Sequence, residues 1–256
     1  MMPKVALVTG ATRRIGLAIA EYLGVHGYRV VLHSSAASLI EAKDAAARLA
    51  GQGIDVAVVT GDLADPAAPA QIIADAGRAF GPLGLLVNNA SLFAEDSAFA
   101  IDLALWDQYF AVNLRAPLLL AQNFVRQVPQ GSEAAIVNIL DQRVLRPTPQ
   151  FFSYSLSKSA LWAATRSMAQ AFAPLKIRVN GVGPGPVLPN TPQGEAGFAA
   201  EVAGLPLHHA VVPEEIAAAV LYLAEAKSVT GQMIAVDSGQ HLAWETPDIV
   251  GDPQAR

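Results

Sequence analysis

The chain has 256 residues, 52% of them hydrophobic, with a formal net charge of −5 and no cysteine. The length exceeds that of a common domain but is usual for an open α/β sheet folded as one unit. The acidic balance argues against a nucleic-acid partner, which needs a basic surface. The lack of cysteine excludes disulfides, thiolate nucleophiles and cysteine-ligated zinc, and fits a reducing cytoplasm.

The chain starts MMPKVALVTG, an apolar run too short for a signal-peptide core. No stretch approaches the roughly 18 unbroken apolar residues of a membrane span. A cytoplasmic protein with no membrane segment is therefore expected. Short aliphatic runs at 5–9, 29–33, 55–60, 85–88, 135–140, 177–182 and 233–236 read as strands. Amphipathic stretches near 15–26, 38–50, 66–80, 102–127, 153–173 and 213–225 read as the helices between them. This alternation predicts a Rossmann-type, doubly wound α/β fold over 1–256, a parallel sheet of about seven strands with helices on both faces. The strands are apolar throughout rather than alternating, as strands buried on both faces must be. Residues 184–210 are rich in Gly and Pro with weak periodicity, and are expected to form a substrate-covering loop. The tail from 243 to 256 shows no clear element, and either frays or docks on a neighbouring subunit.

The first strand runs into Thr9-Gly10-Ala11-Thr12-Arg13-Arg14-Ile15-Gly16. Glycine at the strand end permits a tight turn, and glycine at the helix start permits close backbone approach to a diphosphate at the helix N-terminus. Arg14 stands where the usual fingerprint has its middle glycine, and with Arg13 it adds positive charge beside the anion. The second strand ends His33-Ser34-Ser35, with no carboxylate to hold ribose hydroxyls or repel a 2′-phosphate. NADPH is therefore expected over NADH. Asp62, followed by Leu63, can accept from an adenine amino group, and Asn88-Asn89-Ala90-Ser91 lies where a ligand crosses the sheet edge. Asn88 serves equally well as a purely structural turn residue.

Tyr154 and Lys158, at i and i+4 near the start of a helix, share one face. An ammonium beside a phenol favours the phenolate, which is expected to lower the tyrosine pKa and make it a usable proton carrier. The aromatic cluster Trp106, Tyr109 and Phe110 reads as core or subunit packing, and His208-His209 as an exposed loop pair rather than a metal site. No metal is expected.

With these motifs in hand, the chain resembles the short-chain dehydrogenase/reductases over about residues 5–239. The carrying residues are the Thr9–Gly16 turn, Asp62-Leu63, Asn88-Asn89-Ala90, Asn113, Tyr154/Lys158 and Asn180-Gly181-Val182-Gly183-Pro184-Gly185. The resemblance implies that Asn113 joins a proton relay with Lys158. It also implies that Lys158 binds the nicotinamide ribose and that Pro184 and Gly185 flank the nicotinamide. It further implies a homotetramer whose 102–127 and 153–173 helices form interfaces.

Asp141 departs from the family pattern. It lies thirteen residues before Tyr154, where most members have serine. A carboxylate cannot donate to a carbonyl oxygen and repels a developing oxyanion. Its charge should also keep Tyr154 protonated, so that Tyr154, Lys158 and Asp141 titrate as a coupled set. A carboxylate suits a nitrogen-rich substrate that carries N–H donors. In this exchange, in Thr-Gly-x-x-x-Arg, and in Asn-Asn-Ala-Ser with Phe93 two residues on, the chain is similar to pteridine reductases and bacterial dihydromonapterin/dihydrofolate reductases. That similarity implies a pterin stacked on Phe93, contacted by Ser91 and near Arg14. Two alternatives stay open. One is a carbonyl reductase acting on 3-oxoacyl groups or sugars, and the other a non-catalytic module that senses NADP.

Overall fold

The computed structural model describes residues 2–189 and 194–243. Seven parallel strands form one sheet among these residues, in the order β3-β2-β1-β4-β5-β6-β7. They are β1 (Val5–Val8), β2 (Arg29–Ser34), β3 (Val56–Thr60), β4 (Leu85–Asn88), β5 (Ala134–Ile139), β6 (Ile177–Pro184) and β7 (Met233–Val236). The inner strands β1, β4 and β5 are buried at every residue, whereas β7, at one edge, is half-buried throughout. That contrast explains why the inner strands read as unbroken apolar runs.

Helices α1 (Arg14–Val25), α2 (Leu39–Gly51) and α8 (Pro213–Glu225) bury Ile19, Leu23, Leu49, Ile216 and Val220 against one face. Helices α3 (Ala68–Phe80), α5 (Ala116–Gln127) and α6 (Phe152–Phe172) bury Ile72, Leu120, Phe124 and Ala169 against the other. Burying one such aliphatic side chain is worth ~1.5–3 kcal/mol, so the two layers fix the sheet and with it the strand ends. Strand order reverses between β1 and β4, and the crevice at such a switch point, outside the C-terminal strand ends, is where α/β sheets bind ligands.

Two segments differ from the expected elements. The 102–127 stretch is not one α-helix. It runs as α4 (Leu103–Tyr109), a π-helical segment Phe110–Arg115 and then α5. The wider π turn buries Asn113, and such segments gather at functional sites. Within the expected 184–210 loop lies α7 (Gly194–Ala203), none of whose residues is buried. With no apolar stripe to bury, it left no periodic signal. The tail lies beyond the described residues except for Ala243.

A chain of buried polar groups ties the central strands to α6. Asn88 donates to Asn138 Oδ1 at 2.8 Å, Asn138 donates to Thr165 Oγ1 at 2.8 Å, and Thr165 donates to the Leu161 carbonyl at 2.8 Å. Through these bonds Asn88 ties β4 to β5 and, by way of Asn138, to α6. His33 plays a similar part on the other side of the switch point. Its Nδ1 accepts from Gly10 N at 3.4 Å and its Nε2 donates to the Gly61 carbonyl at 3.1 Å, which assigns the neutral Nε2–H tautomer. The ring pins the ends of β1, β2 and β3 together through backbone contacts of both nitrogens.

Burial pushes the His33 pKa down to about 4, against the upward pull of the Gly61 bond. An unfolded chain binds this proton near pH ~6.5, so stability from neutral His33 is complete above that value. It is lost as pH falls through about 4. The shift corresponds to roughly 3 kcal/mol. Urea unfolding between pH 7 and pH 4 should therefore be flatter for His33→Gln than for the natural protein. Parallel curves would mean that His33 takes no part in acid sensitivity.

Candidate active site

Gly10 closes β1 with φ +61°, a left-handed conformation that glycine adopts at no steric cost. Gly16 sits in the first turn of α1, and a Cβ there would lie 2.3 Å from the Gly10 carbonyl oxygen. Asn89 locks the turn by donating to the carbonyls of Thr9 at 2.8 Å and Gly10 at 3.1 Å. Thr9 Oγ1 accepts from the backbone of Asn89 and Ala90 at 2.9 and 3.0 Å. Helix α1 has no side-chain cap and no acid in its first turn, so its N-terminal N–H groups face the crevice uncompensated.

A cavity of about 440 Å³ runs from this turn past His33, Ser34, Ser35, Asp62, Leu63 and Ala90. Ser34 Oγ is buried with no hydrogen-bond partner among the described residues, while Ser35 and Arg13 are exposed at the rim. Arg13 pairs with Glu41 at 3.8 Å. Asp62 caps its own turn by accepting from Ala64 N at 2.9 Å. The glycine cradle, the open helix terminus and the orphaned Ser34 hydroxyl all fit a phosphate-bearing dinucleotide.

A second cavity of about 510 Å³ shares Arg14, Ile15, Asn89 and Ser91 with the first, so the two form one cleft. Its walls bring together Asp141, Tyr154, Lys158, Phe93, Pro184 and Gly185. Arg14 holds φ +52°, taking the left-handed conformation where the fingerprint has glycine. A non-glycine residue there costs of order ~1 kcal/mol. Its guanidinium donates to the Leu188 and Pro189 carbonyls at 3.3 and 3.2 Å, tying the cofactor turn to the segment after β6.

Tyr154, in the first turn of α6, donates from Oη to Asp141 Oδ2 at 2.9 Å. Burial, then the charge and the hydrogen bond of Asp141, hold the phenol well above its usual pKa, with Arg143 pulling the other way. This corrects the expectation that Lys158 would drive Tyr154 toward phenolate. Lys158 Nζ instead donates to the Ile139 carbonyl at 2.8 Å and lies 5.7 Å from the Tyr154 ring centre. Burial lowers Lys158 to about 8, opposed by the Asp141 charge. Tyr154 is thus a protonated donor beside a carboxylate.

Asn113 shapes the site without touching Lys158 through its side chain. Its Oδ1 accepts from Leu92 N at 2.8 Å and from Ser91 Oγ at 3.3 Å, and its Nδ2 donates to the Leu92 carbonyl and to Ser157. The residues missed in the sequence are those whose role depends on tertiary approach. Phe151 stacks on Phe93 at 4.3 Å, and Phe93 meets Tyr154 edge-on at 4.8 Å. Asp96 accepts from Ser153 N through both oxygens, fastening the 90–96 loop to the start of α6. Tyr109 grips the same loop through both backbone groups of Ala94. Phe198 and Glu201 of α7 reach the cavity wall, a placement hidden by the helix's lack of pattern. Arg143 lies against Asp141 and was not distinguishable from a surface arginine. Among the described residues no cluster of metal-binding side chains occurs, and no helix is long and apolar enough to cross a membrane.

Comparison with known proteins agrees with this geometry. The family model described as enoyl-(acyl carrier protein) reductase matches residues 10–241. A short-chain type dehydrogenase/reductase from Picea abies is 34% identical, over 93% of this chain and 92% of its own length. The FolM alternative dihydrofolate reductase 1 of Brucella canis, solved complexed with NADP, is 48% identical with a TM-score of 0.89, covering 97% of this chain and 99% of that one. Its Brucella suis counterpart, also in complex with NADP, gives 48% and 0.91, covering 96% and 99%. The chain belongs to the short-chain dehydrogenase/reductase family and is an oxidoreductase of that family.

Proposed function

We propose that this oxidoreductase uses NADPH to reduce a C=N bond in a dihydropteridine-type ring, with Tyr154 as proton donor and Asp141 as hydrogen-bond acceptor. The observation that carries the proposal is the Tyr154–Asp141 pair, a donor and an acceptor 2.9 Å apart on the cavity wall. A ring edge that offers an acceptor nitrogen beside N–H groups answers both. Its nitrogen takes the Tyr154 proton while its N–H groups replace that proton on Asp141. A ketone offers an acceptor alone. It must break the Tyr154–Asp141 bond, leave Oδ2 with the Arg143 guanidinium at 3.3 Å but no hydroxyl donor, and develop negative charge beside a carboxylate. The exposed face of Phe93 gives a flat heteroaromatic ring a surface to stack on. The 48% identity with the Brucella dihydrofolate reductases supports the same substrate class.

Bound in the cleft, NADPH would supply the hydride, two electrons, that reduces the carbon, becoming NADP⁺. The groups placed to hold it are the Gly10–Gly16 turn, Arg13, Ser34 and Ser35, with Lys158 and the Pro184-Gly185 turn at the chemical end. The serines and Arg13 offer donors to a 2′-phosphate where an NAD enzyme would have a carboxylate. The family's NADP-bound relatives support this choice. Tyr154 supplies the proton and recovers one from solvent. A homotetramer is the proposed assembly. An apolar cleft of about 710 Å³ beside Phe110, Leu114, Leu118 and Leu119, on the outer side of the π segment and α5, supports it.

NADPH oxidation should be followed against dihydrobiopterin, dihydromonapterin, dihydrofolate, an acetoacetyl thioester and a diketone, with NADH as control. Turnover is expected with pteridines and NADPH. Turnover confined to carbonyl substrates would overturn the assignment. Tyr154→Phe should lower kcat by ~10²–10⁴ and leave NADPH affinity within about threefold, since the ring stays packed; a non-catalytic NADP sensor would show no turnover to lose. Asp141→Ser should lower kcat/KM for the pteridine by roughly 10²-fold and raise it for the thioester. An unchanged ratio between the two substrates would show that Asp141 does not select the substrate class.

A further inference from the structure

Asp141 lies two residues past the end of β5 and caps the short 3₁₀ turn Gln142–Val144, so that the side chain two residues on folds back over it. Arg143 N donates to Asp141 Oδ1 at 2.8 Å, and Arg143 Nη1 lies 3.4 Å from Oδ1 and 3.3 Å from Oδ2. The guanidinium rests against two aromatic rings, 5.3 Å from the centre of Phe151 and 6.0 Å from that of Phe93. Only 19% of its side chain is exposed, and it forms part of the substrate cavity wall. Such a placement costs desolvation and side-chain entropy, which a lone surface ion pair would not repay. The partly buried geometry makes the pair matter, because charges shielded from water interact more strongly than exposed ones.

We propose that Arg143 is a positioning residue for the proton transfer. Its backbone N–H holds Oδ1 and its guanidinium bridges both oxygens, which fixes the carboxylate with Oδ2 toward Tyr154, and the guanidinium offsets the negative charge that Tyr154 acquires on giving up its proton. The proposal rests on the assignment of Tyr154 as acid and Asp141 as its acceptor. In the step concerned, the Tyr154 O–H bond breaks and an N–H bond forms on the substrate ring as the hydride of NADPH reaches the adjacent carbon. Tyr154 is left as phenolate beside a carboxylate. Two anions that close are tolerable only with cations near. Arg143 faces the pair from the 3₁₀ turn and Lys158 from α6, while Tyr109 approaches from α4 at 6.1 Å between ring centres and adds no cation. Arg14, Glu95 and Glu201 line the outer part of the same cavity. Of the two inner cations, Lys158 titrates at about 8 and governs the alkaline side. An arginine keeps its charge, so Arg143 is the cation that holds Asp141 as a hydrogen-bond acceptor for substrate.

The test is the pH profile of kcat/KM for NADPH-dependent reduction of dihydrobiopterin by the natural protein, Arg143→Gln and Arg143→Lys, with Tyr154→Phe alongside. Without the guanidinium charge a second proton binds the pair more readily. The acidic limb of Arg143→Gln should therefore move to higher pH by about one unit, a rate loss of roughly tenfold on that limb. Arg143→Lys should return the limb most of the way while kcat stays below that of the natural protein, because an ammonium restores charge but not the planar group that rests against Phe93 and Phe151. NADPH binding, read from intrinsic fluorescence, should be unchanged in both variants and reports that they are folded. Coincident acidic limbs for the natural protein and Arg143→Gln would overturn the proposal, as would an Arg143→Lys limb displaced as far as that of Arg143→Gln. Full turnover by Tyr154→Phe would instead show that the acid itself is misassigned.

Discussion

A carboxylate taken out of water must have its oxygens claimed, and the site is organised around how this is done at Asp141. Oδ1 accepts from the backbone of Arg143, Oδ2 accepts from the Tyr154 hydroxyl, and the Arg143 guanidinium reaches both oxygens. The second of these bonds crosses from beyond the end of β5 to the first turn of α6, so a helix that started elsewhere would take the hydroxyl donor away from Asp141 Oδ2. The start of α6 bears the marks of that requirement. Phe151, immediately before it, holds φ +54°, and the N–H of Ser153 finds its partner in Asp96, from a distant loop. That same loop carries Phe93, so the carboxylate, the acid and the stacking surface are set by one group of contacts.

The electrostatics follow from burial as much as from charge. Tyr154 and Lys158 lie in the same buried pocket, and desolvation acts on them in opposite senses, raising the phenol and lowering the ammonium. Both shifts favour the neutral forms. A lysine pressed toward neutrality and turned to the Ile139 carbonyl is a weak activator of a phenolate. The carboxylate at 2.9 Å then decides the matter, and Tyr154 is held as an acid. Such a group gives a proton efficiently only if the acceptor is itself basic, which again favours a ring nitrogen over a carbonyl oxygen.

Much of this was legible in the sequence because it depends on local pattern. The glycine positions in the Thr9–Gly16 turn, the i, i+4 spacing of Tyr154 and Lys158 and the acid at Asp141 are short-range features, and the strand–helix alternation carried the sheet. What escaped depends on approach in three dimensions. The π segment leaves an ordinary helical pattern on either side of one extra residue in the turn, and Asn113 gains its contacts from that extra residue. Helix α7 has no buried residue to set a period. The weight of Lys158 on Tyr154 was overread because sequence spacing gives adjacency but neither dielectric nor the position of the Ile139 carbonyl. Arg143 is two residues from Asp141 in sequence, yet its importance comes from Phe93 and Phe151, which are remote.

His33 shows why a residue at a cofactor position need not be a ligand. Its ring joins the Gly10 turn to the end of β3, and so fixes the wall on which Ser34 and Ser35 stand. A charged imidazolium cannot accept from Gly10 N, so acid that protonates His33 loosens the dinucleotide turn. Acid therefore acts on this protein through two separable routes. One passes through the strand ends and weakens cofactor affinity, and the other passes through Asp141 and Tyr154 and weakens the chemical step. The first depends on a neutral ring enclosed by backbone and is insensitive to Arg143. The second depends on a carboxylate whose charge Arg143 holds, and it leaves the cofactor turn intact. A low-pH loss of rate seen in KM for NADPH thus belongs to the fold, and one seen in kcat at saturating NADPH belongs to the chemistry.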